Sequence, residues 1–187
     1  MRRPKQFAGN TRRIVVVGTT GSGKTTVAAQ LSRLYQIPHV EMDALRHDPG
    51  WTEAPDDVFR ERLARTLTGE RWVADGNYSV ARDVVWPRAQ AAVWLDYPLR
   101  TIMRQLLWRT LRRCLTGEEL WNGNRERFRT SFFSRESVIH WALTTYRRRR
   151  RQIPQQLALP EHSHLAVVHL RSPRETRSWL DALGASV

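Results

Sequence analysis

The clearest chemistry in the chain sits near its start. Gly18-Thr19-Thr20-Gly21-Ser22-Gly23-Lys24-Thr25 follows directly on the apolar run Ile14-Val15-Val16-Val17 and precedes the helix-forming Val27-Ala28-Ala29-Gln30-Leu31. This is G-x-x-x-x-G-K-[ST] in a strand–loop–helix context, the arrangement that cradles a phosphate chain. Glycines let successive backbone N–H groups curl around the phosphates, and the helix N-terminus adds positive potential. Lys24 is placed to reach the β- and γ-phosphates, the Thr25 hydroxyl to hold Mg²⁺, and Thr26 joins them in the first helical turn. The motif predicts a nucleoside triphosphate, ATP with Mg²⁺, as the ligand.

Phosphoryl transfer needs two further kinds of group: acids to hold hydrated metal and orient the acceptor, and cations around the moving phosphoryl. Asp43, Asp75 and Asp96 each close a short apolar segment. In doubly wound sheets ligands collect at the carboxyl ends of strands. Asp75, followed by Gly76, is the candidate metal partner, and Asp43 the candidate acceptor-orienting acid. Asp96, in Asp96-Tyr97-Pro98, reads as a structural cap.

The elements that must position these groups alternate strand and helix with short connections, which predicts a parallel sheet with covering helices. Strands are expected at 14–17, 38–43, 71–75, 91–96 and 165–170. Helices are expected from Lys24 to about Tyr35, from Pro55-Asp56-Asp57 through Phe59, Leu63 and Leu67 to a stop near Gly69, and after Pro173. Between the fourth and fifth strands, Leu99, Met103, Leu106, Leu107 and Cys114 are expected on one helical face, with Arg104, Arg109 and Arg112 off it. A polar hinge at 117–124 (Gly-Glu-Glu-Leu-Trp-Asn-Gly-Asn) separates that helix from a second, carrying Val138, Ile139, Ala142 and Tyr146 and ending in Arg147 to Arg151. Residues 1–12 are expected to form a loose basic tail.

Composition limits the options. The chain has 187 residues, enough for one domain with a sizeable core, here expected over 13–187. Cys114 is the only cysteine, so neither an intrachain disulfide nor a cysteine-based metal site can form. The basic, polar start reads as no secretory signal, and no apolar run reaches the ~18 residues of a membrane span, so a cytoplasmic protein is expected. The formal net charge is +13, and all but two of the 31 Lys and Arg residues are arginine. Such a surplus suits anionic ligands, either nucleotides or nucleic acid. The six histidines show no metal spacing. Trp51, Trp86, Trp108 and Trp121 fall in expected loops or lid helices and read as packing and lid-closure residues rather than base-stacking platforms.

Taken together, Gly18–Thr25, Asp75-Gly76-Asn77-Tyr78 and Leu95-Asp96-Tyr97-Pro98 resemble the nucleoside monophosphate kinase group. Adenylate kinases carry D-G-F-P after the third strand and D-x-P after the fourth. More narrowly, Asp-Gly-Asn-Tyr with Trp121-Asn122-Gly123-Asn124-Arg125-Glu126 and the arginine run is similar to a bacterial adenylate-kinase-like, topology-modulation (FlaR-type) branch. The resemblance spans about residues 12–182. It implies an α/β P-loop NTPase fold: a five-stranded parallel sheet with helices on both faces and a helical lid between strands four and five, over about 99–151. It also implies an acceptor-binding region at about 43–70, with Asn77 and Tyr78 contributing. Arg104 and Arg109 would contact the base and phosphates of ATP, and Arg171-Ser172-Pro173 would border adenine. Asn77-Tyr78-Ser79 replaces the family's Phe-Pro-Arg, so the arginine that grips AMP has no counterpart here. Asp43 instead resembles the acid of shikimate and gluconate kinases that meets a hydroxyl acceptor.

These readings predict an ATP-dependent phosphotransferase acting on a nucleotide or a hydroxylated metabolite, a monomer or small homo-oligomer. The alternative is a nucleic-acid-binding or regulatory NTPase. The kinase reading predicts that Lys24→Ala lowers turnover a hundredfold or more with the fold intact, as expected for a charge acting in the transition state. Steady-state kinetics with circular dichroism tests this, and turnover within about threefold of the parent protein would contradict it.

Overall fold

Ile14 to Val17 shows no polar alternation, and such a strand must be covered on both faces. The computed structural model, which describes residues 11–116, 119–124 and 138–185, places β1 (Arg13–Gly18) at the centre of a five-stranded sheet. The other strands are β2 (His39–Glu41), β5 (Trp72–Asp75), β6 (Ala91–Leu95) and β7 (Ala166–Leu170). The order is β2-β5-β1-β6-β7, with every pairing parallel. Ile14 and Val16 face one layer, built on Val27 and Leu31 of α1 (Lys24–Tyr35) and Trp179 and Leu183 of α7 (Pro173–Gly184). Val15 and Val17 face the other, built on Phe59 and Leu63 of α3 (Asp56–Thr66) with Trp72, Trp86 and Val85. This is the expected α/β architecture, with helices on both faces.

Register places the chemistry. Val16 pairs with Asp75 and Gly18 with Leu95, so the glycine loop, Asp75 and Asp96 emerge at the same edge of the sheet. Gly76 is required beyond Asp75 because its φ is +154° and a Cβ there would approach Met42 Cβ to 2.8 Å. At the far end of the chain, the Ser172 hydroxyl accepts from Glu175 N–H at 3.1 Å and Glu175 accepts from Arg171 N–H at 2.7 Å, a reciprocal cap on α7.

Several expected boundaries shift. The second strand ends at Glu41 rather than Asp43, because Met42 opens a short helix, α2 (Met42–Arg46), with Asp43 in its first turn. An unanticipated hairpin follows, β3 (His47–Asp48) paired antiparallel with β4 (Thr52–Glu53). Helix α3 stops at Thr66, before Gly69, and a short helix α4 (Arg82–Val85) follows β5. On α5 (Leu99–Thr116) the buried stripe is Ile102, Leu106 and Thr110, and Leu107 faces solvent. Residue 107 is one step past 106, about 100° around the helix, and so leaves the seam. The second helix of the expected lid region, α6 (Val138–Leu157), does not end at the arginine run but continues through Pro154. Trp86 is buried, in keeping with its reading as a packing residue. Residues 1–10 of the expected tail, and Gly117 and Glu118 of the hinge, lie outside the described residues.

The contact beneath Gly76 predicts that Gly76→Ala costs about 1–3 kcal/mol by overpacking against Met42. Urea unfolding measures this, and an unchanged midpoint would contradict it.

Candidate active site

The glycine loop is held from behind. Ser22 N–H donates to Thr19 C=O at 3.0 Å, and both side chains are buried. Gly21 has φ +83°, and a Cβ there would stand 3.1 Å from Leu106 and 3.3 Å from Ile102. Helix α5 therefore packs directly on the loop, and only a glycine permits so close an approach. Gly23, also left-handed at φ +87°, turns the chain into α1, and Lys24 Nζ reaches back to Thr19 C=O at 3.5 Å.

Lys24 is the electrostatic centre. Loss of solvation pulls its pKa below the ordinary value, Asp43 and Asp75 push it back up, and Arg149 and Arg109 lower it further. Beside it, Thr25 Oγ1 donates to Asp75 Oδ2 at 2.7 Å. Asp75 is buried, and its other oxygen meets His39 Nε2 at 2.9 Å. The hydroxyl and carboxylate side by side form a hard oxygen donor set. That chemistry suits Mg²⁺, which takes one or two protein oxygens and fills its remaining positions with water and phosphate. Among the described residues no cluster of three or more His, Cys, Asp or Glu could hold a metal by itself.

Across from the loop, Tyr78 Oη donates to Asp43 Oδ1 at 2.6 Å. Burial pushes the Tyr78 phenol far up, and the neighbouring Asp43 charge adds to the shift. Tyr78 thus stays protonated and orients the carboxylate. Arg149 donates to Asn77 C=O at 2.7 Å, and burial, then Arg148, lowers its pKa. Its neighbour Arg150 turns the other way, pairing with Asp96 at 2.9 Å. Arg147, Arg148 and Arg151 are exposed. Asp96, expected to be a cap, is instead an ion-pair anchor that also meets His169 at 3.1 Å.

These groups surround a cavity of about 830 Å³, within the usual range for ligand sites. Of the residues singled out from sequence, Gly18, Thr20, Gly21, Gly23, Lys24, Thr25, Thr26, Asp43, Asn77, Tyr78 and Arg109 line it. Asp75 stands behind Thr25. Thr19 and Ser22 face inward as loop supports. Arg104 is exposed and is not among the lining residues, because it falls on the outer side of α5. Arg171, Ser172 and Pro173 are likewise absent from the lining, with Ser172 engaged in capping α7. Gln105 and Arg113 line the cavity and were missed, although with Arg109 they form an i, i+4, i+8 row on α5. His47, Trp51, Glu53 and Trp121 also line it. Trp51 and Trp121 were legible as loop tryptophans, but nothing in the sequence placed them together.

Three solved structures share this architecture. A gluconokinase from Sinorhizobium meliloti 1021 is 19% identical, covering 94% of this chain and 95% of its own, with a TM-score of 0.52. A shikimate kinase from Acinetobacter baumannii in complex with shikimate is 16% identical, covering 95% and 93%, with a TM-score of 0.53. A sugar kinase from Janibacter sp. HTCC2649 is 20% identical, covering 94% and 97%, with a TM-score of 0.50. The chain shares the α/β fold of these three proteins, a five-stranded parallel sheet covered by helices. No protein-family model and no curated protein sequence matches the chain. Among the described residues no helix is long and apolar enough to cross a membrane.

The depressed pKa of Lys24 gives a signed prediction. A triphosphate favours the ammonium form, so the bound pKa lies above the free one, and between the two pH values binding takes up a proton. ATP affinity should therefore fall as pH rises, by up to about tenfold per unit in that window. Calorimetry in buffers of different ionisation enthalpy measures the uptake, and buffer-independent heats up to about pH 10 would contradict it.

Proposed function

We propose that this chain transfers the γ-phosphoryl group of ATP to a hydroxyl of a small metabolite. The observation that carries the reading is the meeting of Lys24, Asp43 and the Thr25–Asp75 pair around one cavity. The acceptor oxygen forms a bond to the γ-phosphorus while the bond from that phosphorus to the β–γ bridging oxygen breaks. The hydroxyl proton passes to Asp43, and ADP leaves. Lys24, with Arg109 and Arg149 nearby, neutralises charge that builds on the phosphoryl oxygens. Thr25 and Asp75 would hold Mg²⁺, which would supply charge neutralisation to the triphosphate. Asp43, oriented by Tyr78, accepts the hydroxyl hydrogen bond.

An AMP acceptor is not favoured, since Asn77-Tyr78-Ser79 provides no arginine at the position where adenylate kinases grip that phosphate. The adenylate-kinase-like, topology-modulation branch therefore stands as a motif resemblance, and the acceptor side is read on its own residues. The arginine run supports the kinase reading over a nucleic-acid one, because its members make dissimilar contacts rather than one phosphate-tracking face.

The two acids should separate on substitution. Asp43→Asn should leave ATP binding within about twofold and lower the acceptor-dependent rate by about 10²–10⁴. Asp75→Asn should lower the rate and raise the Mg²⁺ concentration needed for activity, with the loss partly restored by excess Mg²⁺. Kinetics across a Mg²⁺ titration, with calorimetric nucleotide binding, decides it, and the reverse pattern would exchange the roles.

A further inference from the structure

One wall of the cavity is built by two segments far apart in sequence, 41–53 and 119–124. Their junction is a hydrogen-bonded clasp. Trp121 Nε1 donates to Glu41 Oε2 at 2.7 Å, Asn122 Nδ2 to His47 C=O at 2.5 Å, and Asn124 Nδ2 to Asp48 C=O at 3.1 Å. Asn124, itself buried, accepts from Trp51 N–H at 2.8 Å. The clasp holds Trp51 at φ +61°, in the left-handed region that bulky residues avoid. Strain of this kind persists only where surrounding contacts over-determine it, and it clusters at ligand-binding positions.

What the strained backbone achieves is an aromatic corner. Trp51 and Trp121 stand edge to face at 6.4 Å and 88°, while His47 lies near-parallel to Trp121 at 6.4 Å and 18°. All three line the cavity that Lys24 and Asp43 share. Most charged groups of this region already have polar partners within the fold. Glu53 and Asp56 hold Arg46, the only cation in either segment, and that guanidinium sits over Phe59 rather than lining the cavity. Asp48 holds Arg62, and Glu41 accepts the Trp121 indole. Among the described residues the cavity's cations, Lys24, Arg109, Arg113 and Arg149, belong to the start of α1 and to helices α5 and α6. A carboxylate or phosphate on the acceptor would meet no counter-charge from these two segments and would face Asp43.

We infer that the Trp51–Trp121 corner is the acceptor subsite and that it selects an uncharged, polyhydroxylated ring, such as a cyclic sugar or cyclitol. This rests on the kinase reading above. The C–H face of such a ring packs on an indole face, whose π-cloud is negative, while its hydroxyls satisfy the few polar groups. One hydroxyl meets Asp43 and becomes the phosphorylated oxygen, its proton passing to that carboxylate. Discrimination against acidic analogues comes from bringing a further negative charge up to Asp43 and Glu53, in a corner whose one guanidinium is already held by two carboxylates.

The test uses the full chain with Mg-ATP and coupled ADP release. Neutral cyclic hexoses and cyclitols are compared with sugar acids and nucleoside monophosphates. At least one neutral ring should raise ATP turnover tenfold or more, and acidic analogues should raise it less than twofold. Trp121→Ala should then raise the acceptor KM more than tenfold with kcat within threefold and ATP affinity unchanged. Because Trp121 also ties down Glu41, Trp51→Ala at the more exposed position provides a second variant with the same expected pattern. Stimulation by acidic acceptors only, by no acceptor, or with a KM that neither tryptophan affects would overturn the inference. Loss of ATP binding and hydrolysis in the parent protein would instead remove the kinase reading itself.

Discussion

A lysine ammonium withdrawn from water is the constraint on which the site depends. Lys24 holds its charge poorly by itself, and the surroundings pull in both directions: two carboxylates favour the cation and two guanidiniums oppose it. Neither set alone would suit phosphoryl transfer. Carboxylates without arginines would repel a triphosphate, and arginines without carboxylates would leave nothing to orient metal or acceptor. Four different elements must therefore converge on one nitrogen. The parallel register of β1 with β5 and the packing of α5 on Gly21 are the means by which they do so.

The parts of this arrangement set by local rules could be read directly from the residues. Val16 and Val17 lead into a glycine loop, and a continuous apolar strand followed by G-x-x-x-x-G-K-T leaves few alternatives for backbone geometry. Asp75 was legible because it ends an apolar run and precedes a glycine. What escaped depends on contacts between distant segments. Arg104 and Arg109 look alike in the sequence, yet five positions on a helix separate the outer face from the cavity side. Arg171 and Ser172 follow a strand at the sheet edge, as ligand-contacting residues often do, but a reciprocal cap claims them. The hairpin around Gly50 was missed because two-residue strands leave no periodicity to detect.

The division of labour among adjacent arginines has the same origin. A helix turns about 100° per residue, so Arg149 and Arg150 cannot serve one partner. One reaches the Asn77 carbonyl at the cavity, the other the Asp96 carboxylate at the end of β6. A block of five like charges, which in isolation would repel itself, is thereby divided among the cavity, an ion pair and solvent. Sequence spacing announced the block but not its partition.

Helix α6 touches both halves of the interior: Tyr146 packs with the layer of α1 and α7, and Ile153 with the layer of α3. Tyr146 also donates to Tyr97 C=O, while Tyr97 shares a hydrogen bond with Thr176 of α7. A segment anchored in this way forms a strut across the end of the sheet. Arg149 then carries its charge at the cavity on a helix anchored at both ends. The stretch from Tyr146 to Ile153 gains preorganisation at the cost of adaptability: damage to the strut would loosen the architecture and blunt the chemistry together, so its tolerance for change should resemble that of a core strand more than that of a surface loop.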